Sequence, residues 1–489
     1  MPGARPLVLV VVVDGLRPDS ISAEDTPTLF RLRAEGVDLV NSHAVFPTVT
    51  RVNAAAIATG AQPGASGLVG NQMFVPAVED RRAFDTGNYR NFLALERATG
   101  GRVLQVRTLA ERLHGRGLAL AGVSSGSTGS AFLLNPRSTD GVGALVNGYL
   151  DPGKTVAYPA AVSEAILSRF GPAPAKQPGG ARFDAAVNWT QRVLCEYVLP
   201  ELAPDVVINW LTEPDHSQHH VGVGSPAARE ALHNSDRELA QVLAGLDAAS
   251  TSVLVVSDHG FTTNTAGVDV TGALIEAKLK AAPDSPDVIL ASSGQAVALH
   301  VQGRDPDRVA RLARFIQGQE WGGVVFSAER VEGAFPLELI NLANRDRGPD
   351  LLFTFPWTSR RSAFGVPGTD LANVSAGGAP YVSDHGSMSP WNVRNTFLAW
   401  GAGVKRGIRA SAPAGNVDVT PTVLALLGVE GEAGLDGRVV AEALEGGPDP
   451  EQVAAETRIH TAAAGAYRAA LQISTVDGRR YVDKSWRVS

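Results

Sequence analysis

The feature of the sequence that most constrains its fold is an uninterrupted apolar run, LVLVVVV at Leu7–Val13, which ends abruptly at Asp14. The run is rich in β-branched residues and does not alternate with polar ones, which is typical of a strand buried on both faces. Its seven residues are far fewer than the roughly 20 that span a bilayer. Arg5 in front of the run would suit a short secretion signal, but no convincing A-x-A cleavage pattern follows. We expect a buried strand in a cytoplasmic protein.

Further along the chain, buried strand patterns alternate with helical patterns. Predicted strands at Val206–Trp210 and Ser252–Val256 follow predicted helices at Ala185–Leu199 and Arg229–Leu246. This alternation favours an α/β fold with a mostly parallel sheet, because parallel strands need a crossover connection. Residues 262–380 depart from it, and their order of strand, helix and strand predicts a small inserted α+β cap.

The chain therefore divides into three predicted parts. Residues 1–261 and 381–435 form the catalytic core, residues 262–380 form the inserted cap, and residues 436–489 form a C-terminal extension packed on the core. The hydrophobic fraction of 44% is enough for a large core. Charged residues make up only 19%, which argues against long disordered tails.

Composition excludes several classes of function. The net charge of −7 leaves no global basic surface for coating a nucleic-acid polymer, although a local site can still bind a small anion. Cys195 is the single cysteine of the sequence, so neither an intrachain disulfide nor a multi-cysteine zinc site can form. Any metal ion must be held by aspartate, glutamate and histidine.

Aspartate and histidine residues follow the predicted strands, where ligands bind in open α/β sheets. The pentapeptide VSDHG occurs twice, at residues 256–260 and 382–386. The candidate ligands are Asp14, Asp215, His219, Asp258, His259 and His385. Three carboxylates and three imidazoles suit two divalent cations. His216 and His220 leave open a register shifted by one, and we interpret Asp384 as a supporting or capping residue.

Thr50 lies in FPTVTRVN, directly before an Ala-rich helix predicted at Asn53–Thr59. A hydroxyl at a helix N-terminus faces unpaired N–H groups and the positive end of the dipole, which favours an alkoxide or a bound anion. The dipole contributes only about 0.3–2 kcal/mol, whereas each pKa unit costs about 1.4 kcal/mol. A neutral-pH nucleophile therefore needs metal coordination; otherwise Thr50 is an ordinary helix cap.

The motifs together resemble a known family. They are VVVDG with Asp14, FPTxT with Thr50, GAQPGASGLVGN with Asn71, EPDxxxH with Asp215 and His219, DHG with Asp258 and His259, and a late His385. In this order and approximate spacing they resemble the nucleotide pyrophosphatase/phosphodiesterase branch of the alkaline phosphatase superfamily. The resemblance implies an alkaline-phosphatase-like three-layer sandwich around a central, mostly parallel sheet.

The resemblance also implies a mechanism. One metal ion would be held by Asp14, Thr50, Asp258 and His259, and the other by Asp215, His219 and His385. Both ions would be Zn²⁺ or Mn²⁺. Thr50 would attack phosphorus and form a phosphothreonine, and Asn71 with the Thr50 backbone N–H would hold a phosphoryl oxygen. As an alternative, Asn71 is a turn residue.

The residue after Thr50 sets this chain apart, because many relatives carry an aromatic side chain there that stacks on a nucleobase. Here it is Arg51, whose guanidinium would bind a second phosphate or a carboxylate of the substrate, or stack on a base. We expect hydrolysis of phosphodiester or pyrophosphate bonds of nucleotides, including cyclic dinucleotides such as cyclic di-AMP. The alternative is a phosphonoacetate hydrolase, or another phosphonate or phosphomonoester hydrolase of the superfamily.

Two further hypotheses belong to other classes. The first is a serine esterase, because GVSSG at residues 122–126 fits the G-x-S-x-G pattern with Ser124 as nucleophile. The second is a protein that binds phosphorylated ligands through metal ions without catalysing a reaction. The expected partner is a small phosphate-containing substrate, a nucleotide by the resemblance. We expect no nucleic-acid polymer, no membrane, and a monomer or homodimer.

Overall fold

The first apolar run forms the centre of the fold. The computed structural model describes residues 6–148, 156–175, 182–374, 378–429 and 432–488. Leu7–Val13 is a strand that pairs in parallel with Thr251–Val256 on one side and with Val206–Leu211 on the other. Its alternate side chains enter two different hydrophobic cores, so the strand is buried on both faces, as its sequence predicts.

Within the described ranges, nine strands form one central sheet. In spatial order they are Ile408–Ala410, Val37–Leu39, Phe397–Gly401, Thr251–Val256, Leu7–Val13, Val206–Leu211, Leu120–Ser124, Ala144–Asn147 and Val156–Tyr158. Five of the eight neighbouring pairs are parallel, and the others are antiparallel. The predicted mostly parallel sheet is confirmed.

Helices cover both faces of this sheet. The helices packed on one face are Thr50–Thr59, Tyr89–Ala98, Leu109–His114, Thr128–Leu134 and Val419–Leu426. Those packed on the other are Pro27–Glu35, Ala160–Phe170, Asp184–Val193 with its continuation Leu194–Leu202, and Pro226–Ala244. The result is the three-layer α/β/α sandwich that the family resemblance implies.

The elements between Thr262 and Asn373 form a smaller α+β unit with a hydrophobic cluster of its own. Its five-stranded sheet consists of Val288–Ser293, Ala296–Val301, Leu351–Thr354, Val325–Ser327 and Phe335–Pro336. The helices Val270–Glu276 and Pro306–Gly318 pack against that sheet. A four-stranded sheet, Thr358–Arg361, Pro367–Asn373, Thr262–Val268 and Ser383–Asp384, leads back to the central sandwich. The division of the chain into domains stays a prediction.

The C-terminal residues form a three-stranded antiparallel sheet, Glu456–Ala464, Tyr467–Val476 and Arg479–Arg487. A buried hydrogen bond ties it to the sandwich, since His43 Nε2 lies 2.9 Å from Asp483 Oδ1. The remaining short strands and α-helices of the described residues are Ser42–His43, Pro63–Ser66, Gln72–Met73, Phe84–Asp85, Asp215–Val221, Pro390–Val393 and Ala414–Gly415. Short 3-10 helices are Pro18–Ser20, Pro136–Asp140, Gln302–Arg304, Leu337–Ile340, Asn416–Asp418, Ala441–Ala443 and Pro450–Gln452. Among all the helices of the described ranges, none combines the length and apolar character that crossing a bilayer requires, and the cytoplasmic location stays a prediction.

One local boundary differs from its prediction in a way that matters for function. The helix predicted at Asn53–Thr59 begins at Thr50 instead. Val49 is extended and caps the helix, so Thr50 occupies its first turn with Arg51 next to it. Alanines and Val52 continue the helix without interruption into the buried core.

His300 generates a prediction about stability, because it lies buried on the strand Ala296–Val301 beside the ring of Phe74. Burial, with the nearby charge of Arg304, lowers the pKa of His300 to about 4. An unfolded histidine has a pKa of about 6.5. As the pH falls from about 6.5 to 4, this side chain therefore binds a proton in the unfolded chain but stays neutral in the folded chain. We expect the free energy of unfolding to fall by about 3 kcal/mol over this pH range because of His300.

Urea denaturation at pH 7 and pH 4.5 measures the effect. His300→Gln should lose less stability on acidification than the unsubstituted protein. The exposed His233 provides the control, since His233→Gln should behave like the unsubstituted protein. Equal acid sensitivity in all three proteins would contradict the prediction.

Candidate metal centre

The three central strands bring three aspartates together at their carboxyl ends. Asp14 follows Leu7–Val13 directly, and Asp258 follows Thr251–Val256 after one residue. Asp215 is the first residue of the helix Asp215–Val221, which comes soon after the third strand, and its backbone N–H donates to Asp14 O at 3.1 Å. Because the strands are adjacent and parallel, residues far apart in the chain meet at one edge of the sheet.

Each aspartate presents one buried carboxylate oxygen that has no hydrogen-bond donor within the described part of the chain. These oxygens are Asp14 Oδ1, Asp215 Oδ1 and Asp258 Oδ2. The other oxygens of two of them are fixed: Trp210 Nε1 donates to Asp14 Oδ2 at 2.9 Å, and Gly15 N donates to Asp258 Oδ1 at 3.0 Å. Burying unpaired carboxylate oxygens is costly, so this arrangement calls for cations.

Three histidines face the aspartates with their ring orientations fixed. In each of them Nδ1 lies within hydrogen-bond distance of a backbone carbonyl oxygen. The pairs are His219 with Ser383 at 3.0 Å, His259 with Gly260 at 3.0 Å, and His385 with Thr48 at 2.9 Å. A carbonyl oxygen only accepts, so Nδ1 carries the proton and donates it. The Nε2 lone pair is left for a metal ion, which is the usual arrangement of metal-bound histidine.

The ligand atoms are close enough to share ions. His219 Nε2 and His385 Nε2 lie 3.5 Å and 3.4 Å from Asp215 Oδ1, and His259 Nε2 lies 3.0 Å from Asp258 Oδ2. Three overlapping groups have ligand atoms within 4.8 Å of one another: Asp14 with Asp258 and His259, Asp215 with His259 and His385, and His219 with Asp384 and His385. His219, rather than its neighbours His216 and His220, belongs to one of these groups.

Asp384 takes part in the site more directly than a capping role requires. Its Oδ1 accepts the backbone N–H of His385 at 2.8 Å and lies 3.7 Å from His219 Nδ1. It therefore fixes the loop of one histidine and adds negative charge beside another. Its place in the repeated VSDHG pentapeptide is the sequence signal that points to it.

Burial and mutual repulsion dominate the electrostatics of the aspartates. Burial, reinforced by Asp215 and Asp258, raises the pKa of Asp14 well above its ordinary value. Burial also raises the pKa of Asp215 to about 7. At Asp258 burial acts in the same direction, but His259 outweighs it and the pKa lies below its ordinary value. The three carboxylates cannot all be charged at low cost without positive charge between them.

Burial also favours neutral imidazoles at two of the histidines. It lowers the pKa of His219, and it lowers the pKa of His385 well below its ordinary value, with His259 and His219 adding to the effect. The His259 and His385 rings stack with centroids 3.5 Å apart, so two positive charges there would repel strongly. Neutral imidazole is the form that binds metal ions.

Thr50 and Asn71 lie beside this cluster. Thr50 Oγ1 is 3.4 Å from His259 Nε2, and the side chain is almost fully buried. The backbone N–H of Arg51 donates to Asn71 Oδ1 at 3.2 Å. The structure therefore places Asn71 next to the first turn of the helix that begins at Thr50.

Arg51 lies at the edge of the site. Its Nη2 is 3.3 Å from Asp85 Oδ1, and the arginine side chain is 19% exposed whereas the aspartate side chain is 58% exposed. The positive charge of Arg51 acts to lower the pKa values of Asp215 and His385. The electrostatic field of the Arg51 guanidinium therefore reaches the candidate ligands, although the carboxylate that it contacts, that of Asp85, lies outside the cluster.

Ser124 does not have the geometry of an esterase nucleophile. The side chain is fully buried, and its Oγ accepts the backbone N–H of Gly126 at 3.0 Å. A G-x-S-x-G elbow instead exposes its hydroxyl at the top of the sheet. The GVSSG motif thus has a structural explanation.

Two site residues have no signal in the local sequence. Trp210 ends a predicted strand, but its hydrogen bond to Asp14 depends on the pairing of two distant strands. Gln218 Nε2 donates to Gly15 O at 3.1 Å, and a Cβ atom at Gly15 would lie 2.9 Å from that nitrogen. Gly15, with a φ of +69°, lets the chain turn tightly beneath the cluster.

Comparison with known families agrees with this geometry. The type I phosphodiesterase / nucleotide pyrophosphatase family model matches residues 8–355, more than half of the chain. The matched range includes Asp14, Thr50 and Asp258, while His385 lies beyond it. A comparison with curated proteins found no match.

The crowded carboxylates predict that divalent ions stabilise the folded chain. We expect Zn²⁺ or Mn²⁺ to raise the melting temperature of metal-stripped protein by several degrees, since the ions bind the folded site in preference to the unfolded chain. Asp258→Asn should abolish most of this increase. Asp284→Asn removes the same charge at an exposed position and should preserve it. The assignment of the site is wrong if both variants respond to the ions alike.

Proposed function

We propose that this chain, which belongs to the type I phosphodiesterase / nucleotide pyrophosphatase family of metal-dependent hydrolytic enzymes, hydrolyses phosphodiester or pyrophosphate bonds of nucleotides with two divalent metal ions. The observation that carries the proposal is the convergence of three donor-free carboxylate oxygens with imidazoles whose Nε2 atoms point at them. Such a donor set, without sulfur, suits Zn²⁺ and Mn²⁺.

Two groups of residues would hold the ions. Asp14, Thr50, Asp258 and His259 form one group, supported by the short distances from His259 Nε2 to the two aspartates, 3.7 Å and 3.0 Å. Asp215, His219 and His385 form the other, supported by the shared approach to Asp215 Oδ1. When bound, the ions would supply the positive charge that activates a hydroxyl and neutralises phosphate oxygens.

Thr50 would act as the nucleophile. Its Oγ1 gives its proton to solvent and attacks phosphorus, the bond to the leaving-group oxygen breaks, and a phosphothreonine forms while the released oxygen takes up a proton from solvent. A water molecule then attacks the same phosphorus, the bond between phosphorus and Thr50 Oγ1 breaks, and a proton restores the hydroxyl. The buried position of Thr50 at the start of its helix supports this role, because backbone N–H groups there favour an oxyanion.

Asn71 would stabilise the charge that develops on phosphate. The Arg51 N–H needs an acceptor, so it fixes Asn71 Oδ1 and leaves the side-chain NH₂ group to donate to a phosphoryl oxygen. The backbone N–H of Thr50, in the first turn of its helix, would be the second donor. Donors placed in advance at such a position typically contribute about 10²–10³-fold to the rate.

Arg51 would set the preference among substrates. A guanidinium at the edge of the cluster can pair with a second phosphate of a nucleotide, including a cyclic dinucleotide such as cyclic di-AMP. The same group suits the carboxylate of phosphonoacetate, which makes a phosphonoacetate hydrolase the second candidate function. In the structure the guanidinium is held by the exposed Asp85, a contact that an anionic substrate could replace.

Replacing the nucleophile tests the proposal directly. We expect Thr50→Ala to lower kcat for bis(p-nitrophenyl) phosphate, measured with Zn²⁺ or Mn²⁺, by about 10³-fold or more, as for other nucleophile deletions. Thr59 lies buried at the end of the same helix, where its hydroxyl donates to Ala55 O at 2.6 Å and accepts the backbone N–H of Ala61 at 3.1 Å, so Thr59→Ala should retain most of the activity. Near-normal turnover by Thr50→Ala would exclude the threonine mechanism.

The role of Arg51 is tested by a change in substrate ranking. We expect Arg51→Ala to lower kcat/KM by about 10–100-fold for cyclic di-AMP and a dinucleoside pyrophosphate, since charge-assisted hydrogen bonds contribute about 1.5–3 kcal/mol. Activity on bis(p-nitrophenyl) phosphate, which has no second anionic group, should change by less than about threefold. If phosphonoacetate is the best substrate of the unsubstituted enzyme, the second candidate function is correct. An equal loss on all substrates would contradict a role in recognition.

A further inference from the structure

The hairpin that joins Val288–Ser293 to Ala296–Val301 in the smaller unit reaches the candidate metal centre. At its tip, Gln295 N donates to His385 O at 3.0 Å. Cβ atoms at Gly294 and Gly386 would lie 2.2 Å and 2.1 Å from backbone oxygens of the facing segment. The two backbones are therefore in direct contact, and side chains at these glycines would separate them.

The same tip holds the segment that carries Asn71. Ser293 Oγ accepts the backbone N–H of Asn71 at 3.1 Å. The neighbouring Ser292 N–H donates to Gln72 Oε1 at 2.9 Å. Ser293 is only 5% exposed, so water has little access to replace its hydroxyl. The smaller unit thus binds residues 71 and 72 through two hydrogen bonds.

These bonds complete a set that fixes Asn71 from several directions. Thr86 donates to the backbone oxygen of Asn71 through its N–H at 3.0 Å and its hydroxyl at 2.6 Å. Arg51 N–H fixes the side-chain oxygen, and Ser293 fixes the backbone N–H. Removing the Ser293 hydroxyl leaves that N–H without its partner and frees the residue to move relative to Thr50.

We propose that Ser293 is a positioning residue that acts through Asn71. It holds the backbone of Asn71 so that the side-chain NH₂ group meets the phosphoryl oxygen, although Ser293 itself does not touch the substrate. Groups that stabilise developing charge must be held to within about 0.5 Å, and a residue from the smaller unit supplies part of this constraint. The inference rests on the proposed function, because it assigns to Asn71 the binding of phosphate.

A double-mutant cycle tests the inference, since residues that act through one another have non-additive effects. We expect Asn71→Ala to lower kcat/KM for bis(p-nitrophenyl) phosphate by about 100-fold or more, and Ser293→Ala to lower it by about tenfold, in the range found for supporting residues of other sites. Most of the Ser293→Ala loss should be in kcat. In the Asn71→Ala background, Ser293→Ala should cause almost no further loss.

Ser292→Ala is the matched control. Its hydroxyl accepts Asn373 Nδ2 at 3.3 Å, and its bond to Gln72 is made by the backbone, which the substitution retains. This variant should keep nearly full activity. If Ser293→Ala does not fold, as judged by circular dichroism, Ser293→Cys replaces it, because a thiol fills similar space but is a weaker acceptor.

The same double-mutant cycle can be measured on binding instead of catalysis. The quantity compared among the variants is then the affinity of metal-loaded protein for orthophosphate, measured by calorimetry. A loss on Ser293→Ala that persists in full after Asn71→Ala would overturn the inference, because Ser293 would then act independently. Unchanged kinetics and phosphate affinity in Ser293→Ala would overturn it as well. If Asn71→Ala alone changes neither measurement, the phosphate-binding part of the proposed function fails together with the inference. A different outcome separates the two proposals. If the protein hydrolyses no phosphodiester, but Ser293→Ala lowers phosphate affinity only when Asn71 is present, the proposed function is wrong and the positioning role of Ser293 is supported.

Discussion

The repulsion among three buried carboxylates is the interaction on which the rest of the site depends. Asp14, Asp215 and Asp258 meet at one edge of the sheet because they follow adjacent parallel strands. Each presents to the same small space a buried oxygen that has no donor among the described residues. Burial raises the pKa values of the first two, so charging all three carboxylates is costly unless positive charge lies between them. The imidazoles and the helix that begins at Thr50 surround this concentration of negative charge.

Much of the fold was predictable from local patterns. The run Leu7–Val13 specifies a strand buried on both faces, and the alternation that follows specifies a layered fold. Acidic residues directly after strands, such as Asp14 and Asp258, were predictable for the same reason: their positions depend on one strand end each. The first turn at Thr50 was not, because FPTVTRVN offers threonine and asparagine as capping side chains, whereas the N-cap position is taken by the extended Val49, which makes no side-chain capping bond.

Contacts between distant segments were beyond prediction. Ser293 reaches Asn71 across 222 residues of sequence, and neither the strand that contains Ser293 nor the turn that contains Asn71 carries a signal for the other. One candidate ligand of the site also comes from the chain that follows residues 262–380. His385 follows that return and lies outside the range matched by the family model, yet its ring stacks on His259. The assignment of individual residues to two ions stays a proposal.

The three histidine rings are oriented by carbonyl groups of the main chain, which every amino acid possesses. The backbone carbonyls of Thr48 and Ser383 direct the lone pairs of His385 and His219. The side chains of the same two residues anchor the loops, since Thr48 Oγ1 accepts the N–H of Gly386 and Ser383 Oγ accepts the N–H of Val223. One residue thus both orients an imidazole and holds the loop around it, so the direction of each lone pair is tied to the local packing of the main chain.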